Sequence, residues 1–248
     1  IAMVKIITLV TKFIIVTLTA LLFASCNLSA NFNSITGSGN VTTEKRIVNG
    51  DFKSIEVGNA IDLVLEQADK VEIIVEADDN LQKEITTKVE NGKLIIGCKY
   101  SSFLNITSKK VIVRAPIIEG IEANSASTVN SKSTLKASEF KIDASSAASL
   151  DLNIESEKII CDSGSGSSIE LKGKAFQLQT NSSSGSSINA GELLANDIKS
   201  KASSGSIQSL HPLVSLDAEA SSGGNISYKN KPKSLKKSEN SGGSISHE

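Results

Sequence analysis

The chain has 248 residues, 39% hydrophobic but only 4% aromatic, with no Trp. A compact globule of this length buries more large aromatic side chains, whereas a thin stacked core is filled by Ile, Leu, Val, Ala and Ser. A formal net charge of −1 excludes the basic footprint of a nucleic-acid-binding protein, so no nucleic-acid partner is expected.

Met3 is the only methionine, and Lys5 and Lys12 precede an apolar stretch from Phe13 to Ala24. That stretch has the length of a signal-peptide core and is short for a membrane span. It ends in Leu22-Phe23-Ala24-Ser25-Cys26. Small residues directly before a cysteine resemble a bacterial lipobox, in which the thiol is acylated and becomes the new N-terminus, although Phe23 stands where Leu is usual. Residues 1–25 are therefore read as a lipoprotein signal peptide, Cys26 as the lipidation site that anchors the chain in a membrane, and residues 26–36 as a tether. A plain signal peptide or an uncleaved anchor is the simpler alternative. The two remaining cysteines, Cys98 and Cys161, lie in apolar, strand-like segments and are read as free thiols, which pack like small hydrophobes.

Residues 37–118 read as an N-terminal β region. Ile55 and Val57 alternate before Gly58-Asn59, and Ile61, Leu63 and Leu65 after it. Period-2 alternation predicts half-buried strands, and the Gly-Asn step a bend. Val71, Ile73 and Val75 give the next strand. Asp79 to Val89 suits a short helix or a strand. Asn91-Gly92 predicts a tight hairpin, since both residues accept the positive φ of a type I′ turn. Val111 and Val113 close the region before Pro116.

Residues 119–248 repeat. A Ser/Gly-rich turn followed by an aliphatic residue recurs at Val129, Leu150, Ile169, Ile188, Ile207, Ile226 and Ile245, one step of 21 and then five of 19. A second column holds Phe140, Ile159, Leu178, Leu216 and Leu235, and a third Ile142, Cys161, Thr180 and Ala218. Ile198 fills the vacant slot of the second column, where the coil ending at Ile207 runs one residue short. If each repeat is one turn of a coil, equivalent residues stack about 4.8 Å apart. The fold class expected is all-β: a single-stranded β-solenoid with coils of about 19–21 residues, capped by the irregular N-terminal strands. Gly is expected to supply positive φ at the corners, Ser hydroxyls to bond nearby backbone groups there, and Asp at Ser186, on a corner, to be far milder than Asp at Ile188. The last coil, with Tyr228, Pro232 and the lysines from Lys229 to Lys237, is expected to act as a polar cap.

Catalytic chemistry is sparse. His211 precedes a proline and His247 nearly ends the chain, and neither has a Ser/Asp context for a triad. Asp143, Asp162 and Glu219, with Asn181, share one repeat position and would form a ladder of side chains. Such a ladder suits a cation, but alternating solvent-facing charge explains it as simply. No metal or cofactor is inferred.

The order of Phe52-Lys-Ser-Ile-Glu-Val, Gly58-Asn-Ala-Ile-Asp-Leu, Val71-Glu-Ile-Ile-Val-Glu, Asp79-Asn-Leu, Ile121-Glu-Ala-Asn-Ser-Ala-Ser, the Ser-Ser-Gly-Ser repeats, and Tyr228-Lys with Pro232 and Ser241-Gly-Gly resembles the "putative auto-transporter adhesin, head GIN domain" family over residues 37–248. The resemblance implies an exported protein or lipoprotein of Bacteroidetes with an adhesive role, and it supplies no catalytic residues. The reading is a non-enzymatic cell-envelope lipoprotein with a glycan or protein ligand, placed at the outer membrane and facing the periplasm. The rival is a carbohydrate-active β-helix enzyme, which Asp/Glu clustered with Lys in one groove would favour.

Overall fold

The computed structural model describes residue 7, residues 10–17 and residues 33–248. Residues 10–17 are helical, and among the described residues no helix is long and apolar enough to cross a membrane. Cys26 lies outside the described residues, as does most of segment 1–25.

From residue 33 the chain is built of strands. Strands β1 (Ser34–Thr36) and β2 (Val41–Arg46) precede a first coil made of β3 (Ser54–Val57) and β4 (Asp62–Gln67). Then come β5 (Glu72–Asp78), β6 (Ile85–Glu90), β7 (Lys93–Cys98), β8 (Ser102–Leu104) and β9 (Lys109–Ala115). The segment from Asp79 to Glu84 forms tight turns, so the undecided stretch from Asp79 to Val89 resolves into turns and then β6. Next are β10 (Gly120–Ala123), β11 (Thr128–Ser131), β12 (Leu135–Ala144), β13 (Ser149–Ser163), β14 (Ser168–Ser182) and β15 (Ser187–Ala202). The chain continues through β16 (Ile207–Leu210), β17 (Pro212–Ala220), β18 (Asn225–Tyr228), β19 (Ser234–Glu239) and β20 (Ser244–His247).

Parallel pairing stacks these strands into a solenoid of two limbs. β3 lies between β7 and β10, and β4 between β9 and β11. The chain thus makes its first coil, drops below it with β7 and β9, and returns above it with β10 and β11. From there each coil follows its predecessor. In β13, Leu150, Leu152 and Ile154 point inward on one limb, and Ile159, Cys161 and Ser163 on the other, either side of a broad bend at 155–158.

The inward columns match the aliphatic periodicity. Phe140, Ile159, Leu178, Ile198, Leu216 and Leu235 stand in register. So do Ile142, Cys161, Thr180 and Ala218, with Ile55 and Ile121 below and Ser200 inserted. One anchor needs correction. Ile188 pairs with Gln208, not Ile207, and Gln208 pairs with Ile226. Ile207 is 59% exposed, whereas Gln208 is fully buried. A bulge in β15 after Asn189 adds one residue, so the coil from Ile188 to Gln208 has 20 residues and the next has 18. The buried amide is fully satisfied. Thr180 Oγ1 and Ser200 Oγ donate to Oε1 at 2.6 and 2.7 Å, and Nε2 donates to Ser182 Oγ at 2.8 Å and Lys201 O at 2.6 Å. A buried polar group so paired escapes most of its desolvation cost.

At the sharp end of each coil, two consecutive residues adopt positive φ. Asn59-Ala60, Ser125-Ala126, Ser146-Ala147, Ser165-Gly166, Ser184-Gly185, Ser204-Gly205, Ser222-Gly223 and Ser241-Gly242 all do so. Gly therefore supplies only the second position, and only from Gly166 onward. The second residue's N–H donates to the carbonyl of the first corner residue in the following coil, from Ala60 N to Ser125 O (2.8 Å) through Gly223 N to Ser241 O (3.3 Å). The lowest carbonyl, Asn59 O, has no corner below it. Lys109 Nζ takes that place at 2.8 Å, with its ammonium 3.2 Å from the Phe103 ring centroid; burial pushes this amine down to about 8.

The residue after each corner faces inward. Ser186 is buried, and its hydroxyl donates to Ser163 O at 2.8 Å, so a charge there would be buried too and the expected mildness of Asp at this position is corrected. Ser167 and Ser206 likewise donate to Ala144 O and Ser182 O. In the last coils Gly224 and Gly243 occupy this place, and a Cβ there would meet Ala202 O at 2.4 Å or Ala220 C at 2.3 Å.

Both ends are closed differently from the middle. At the N-terminal end β2 and β5 run antiparallel beyond β9, and β6 runs antiparallel to β7 through the Asn91-Gly92 hairpin. Buried Asp78 accepts backbone N–H groups from Gly39, Thr107 and Ser108 at 3.0–3.2 Å. At the other end Lys237 and Glu239 occupy the positions held by Ala218 and Ala220 one coil earlier. Lys237 Nζ donates to Ile245 O at 2.9 Å and sits 4.9 Å from the Tyr228 ring centroid. The inward row thus turns polar where stacking ends, as a cap requires.

The column makes a direct prediction. Asp in place of the buried Ile188 is an unpaired charge in an apolar core, which costs several kcal/mol. Ile188→Asp should abolish the cooperative melting transition in circular dichroism. Ser184→Asp, on the exposed corner two residues before Ser186, should melt within about 3 °C of wild type. Equal melting of both variants would contradict a buried column.

Candidate functional site

The outward positions of the second limb form columns of their own. One runs Glu56, Glu122, Asp143, Asp162, Asn181, Lys201 and Glu219. Four of these, Asp143, Asp162, Asn181 and Glu219, are the ladder anticipated from the repeat. Glu56, Glu122 and Lys201 join it because β3 and β10 are in register with the later coils and the 20-residue coil moves Lys201 into line. Lys93 binds Glu122 at 2.6 Å and Glu56 at 3.3 Å. Asn181 Nδ2 donates to Asp162 Oδ1 at 2.7 Å, and Lys201 pairs with Glu219 at 2.9 Å. The Asp143 carboxylate makes no hydrogen bond or ion pair.

The neighbouring column holds Ser54, Gly120, Lys141 and Ile160. Gly120 has no side chain to fill its place, and a cleft of about 590 Å³ opens over it. Ile160 lies on its floor together with Gly120, and its rim carries Lys53, Glu119, Glu122, Glu139, Lys141, Asp143 and Asp162. Lys53 pairs with Glu119 at 3.2 Å, and Glu139 with Lys158 and Lys141 at 3.0 and 3.3 Å. Lys158 and Lys141 hold the Glu139 carboxyl below the usual carboxylate range. Asp143 moves the opposite way: partial desolvation, then the charges of Asp162 and Glu122, raise it. Among the described residues no three His, Cys, Asp or Glu side chains are grouped to hold a metal ion.

The other residues singled out from sequence lie elsewhere. His211 Nδ1 contacts Gly191 O at 3.2 Å, and His247 meets Tyr228 edge-on at 5.3 Å. Cys161 is buried in the core and Cys98 half-buried, both as free thiols. A second, more apolar groove runs along the broad bend past Ala137, Ala175, Phe176, Leu194 and Leu213, with Phe176 and Leu194 55% and 43% exposed. Its existence was not foreseen, because bend positions carry no period in the sequence. The signal available for Glu122 was the likeness of Ser54-Ile-Glu-Val-Gly-Asn-Ala to Gly120-Ile-Glu-Ala-Asn-Ser-Ala.

Asp143 generates a prediction with a defined sign. Its folded pKa lies above the ordinary value of 3.8, so between the two the native state keeps a proton that the unfolded chain has lost. Stability then falls as pH rises through that window, and the cost is fully present above it. Asp143→Asn should therefore raise the melting temperature at pH 7, and the gain should vanish as pH falls below 3.8. A variant that melts lower than wild type at pH 7 would contradict this.

The model of the family "putative auto-transporter adhesin, head GIN domain" matches residues 51–232. The fold is similar to a crystal structure described as a putative adhesin from Bacteroides fragilis NCTC 9343, with TM-score 0.80 and 21% identity over 86% of this chain and 100% of that one. It is also similar to one described as a putative adhesin from Parabacteroides merdae ATCC 43184 (TM-score 0.69, 20% identity, 87% and 99% covered). A third, described as a putative lipid binding protein from Parabacteroides distasonis ATCC 8503, has TM-score 0.71 and 22% identity, with 87% and 99% covered. At these identities the likeness is one of fold. No curated protein matches the chain.

Proposed function

Because the chain belongs to the putative auto-transporter adhesin, head GIN domain family, we propose that it is a non-enzymatic, adhesin-like binding protein of the cell envelope. Lipid attached at Cys26 anchors it, and the tether at residues 26–36 holds the solenoid clear of the outer membrane on its periplasmic side. The observation that carries the binding role is the cleft over Gly120. It has the size of a small-ligand site, offers donors and acceptors around an apolar floor, and sits on paired strands that hold it rigidly.

The cleft also favours the rival reading, since Asp/Glu and Lys do meet in one groove. Asp143 and Asp162 stand on adjacent rungs, about 4.8 Å apart along the stack. A glycosidase, however, sets its two carboxyls on either side of the scissile bond. Here both rise from one column of one sheet, Asp162 is bonded to Asn181, and no aromatic side chain lines the cleft. Binding without turnover is the better fit.

Two measurements test the proposal. Cys26→Ser should abolish incorporation of labelled lipid and release the chain from membrane fractions; unchanged labelling would end the lipoprotein reading. In a screen of glycans and extracellular-matrix proteins, the full chain in detergent should retain a ligand that Gly120→Leu no longer binds. A ligand held equally by both chains would remove the cleft from the function.

A further inference from the structure

The charges around the cleft are unequal. Glu119, Glu122, Glu139, Asp143 and Asp162 line it; Lys53, Lys93, Lys141 and Lys158 pair with the three glutamates, and Asp143 and Asp162 have no ion-pair partner. Two adjacent carboxylates without a cation repel phosphate, sulfate and carboxylate ligands and attract a cation. Most of these acids already have a partner: Lys53 holds Glu119, Lys93 holds Glu122, and Asn181 bonds Asp162. Asp143 is the one without a partner, and its rung lies between those of Glu122 and Asp162. A bare metal ion does not suit this place, because among the described residues no three acidic, His or Cys side chains converge on one point.

The rest of the cleft fits a polyhydroxylated body rather than a lone cation. Carboxylates that spend one oxygen on a lysine keep the other free to accept from hydroxyl groups, and the Lys141 ammonium, bonded to Glu139, retains further donors. Gly120 and Ile160 leave a small apolar patch of floor, suited to the C–H face of a pyranose ring. Resting on the binding reading above, we propose that the cleft over Gly120 recognises a saccharide carrying a free amine, with the ammonium at Asp143 and the ring over Gly120 and Ile160. The ammonium supplies the counter-charge that Asp143 lacks and relieves its repulsion from Asp162.

Titration calorimetry with the full chain in detergent tests this, using tetra-glucosamine and its N-acetylated counterpart as probes. The amine form should bind at least tenfold more tightly than the acetylated form. Asp143→Asn should remove that preference while leaving the fold intact by circular dichroism. Gly120→Leu should weaken both probes at least tenfold, and it is sterically tolerable, since a Cβ there meets nothing closer than Ser54 Cβ at 3.4 Å. Equal affinity for the two probes, or no effect of Asp143→Asn, would overturn the amine assignment. Tetralysine bound as tightly through Asp143 would overturn the saccharide assignment. A neutral glycan that binds more tightly than tetra-glucosamine and is lost on Gly120→Leu would sink the amine claim alone and leave the cleft as the binding site. If neither probe nor any glycan depends on Gly120, the binding reading falls as well.

Discussion

Each coil must return the backbone to a point one hydrogen-bond spacing above where it began, and the rest of the molecule depends on that closure. Two left-handed residues in succession achieve it at the sharp end. A left-handed L-residue costs roughly 1–2 kcal/mol, and a net backbone hydrogen bond returns about 1 kcal/mol. A corner holds only because it makes several bonds at once: a turn bond such as Ser186 N to Ser183 O, a bond to the next coil such as Gly185 N to Ser204 O, and a buried hydroxyl bond such as Ser186 Oγ to Ser163 O. Gly at the second position from Gly166 onward lowers the cost further. The ladder needs an end, and Lys109 supplies it by capping Asn59 O.

The same closure explains how the stack absorbs irregularity. Strand side chains alternate with period 2, so the extra residue in β15 is taken up by the bulge itself, and Ile198, Ser200 and Ala202 still face inward. An 18-residue coil follows and offsets the longer one, so that Ile226 again falls on the 19-residue spacing. Between the two, the inward slot falls on Gln208, whose amide is tied to hydroxyls on Thr180, Ser182 and Ser200. Those polar residues line one stretch of the column because the amide needs partners.

Much of the solenoid was legible from sequence because aliphatic side chains in register are what a thin stacked core requires. Leu150, Ile169, Ile188, Ile226 and Ile245 read correctly for that reason. Ile207 misled because a β-branched aliphatic after Gly-Ser is the usual inward residue, and only the bulge at residues 190–191 reveals that Gln208 faces in. Ser186 misled because a serine beside a glycine reads as surface, although its hydroxyl finds a carbonyl in the coil below. The ladder of Asp143, Asp162, Asn181 and Glu219 was visible as a repeat position. The cleft was not, since it depends on a missing side chain at Gly120 between Ser54 and Lys141, neighbours that are 66 and 21 residues away. Cys26 was read from the end of a hydrophobic run alone and lies outside the described residues.

The corner ladder is the most direct place to test the account. In the corners from Ser125 to Gly223 the second residue's N–H is bonded to the next coil, whereas the first residue's N–H has no acceptor and lies on the exposed edge. Amide hydrogen exchange followed by NMR separates the two. The amides of Ala126, Ala147, Gly166, Gly185 and Gly205 should be protected and should exchange together with the strand interior, while those of Ser125, Ser146, Ser165, Ser184 and Ser204 should exchange rapidly. Equal exchange at both positions would show that the corners are not bonded to one another, and the stacked solenoid would have to be abandoned.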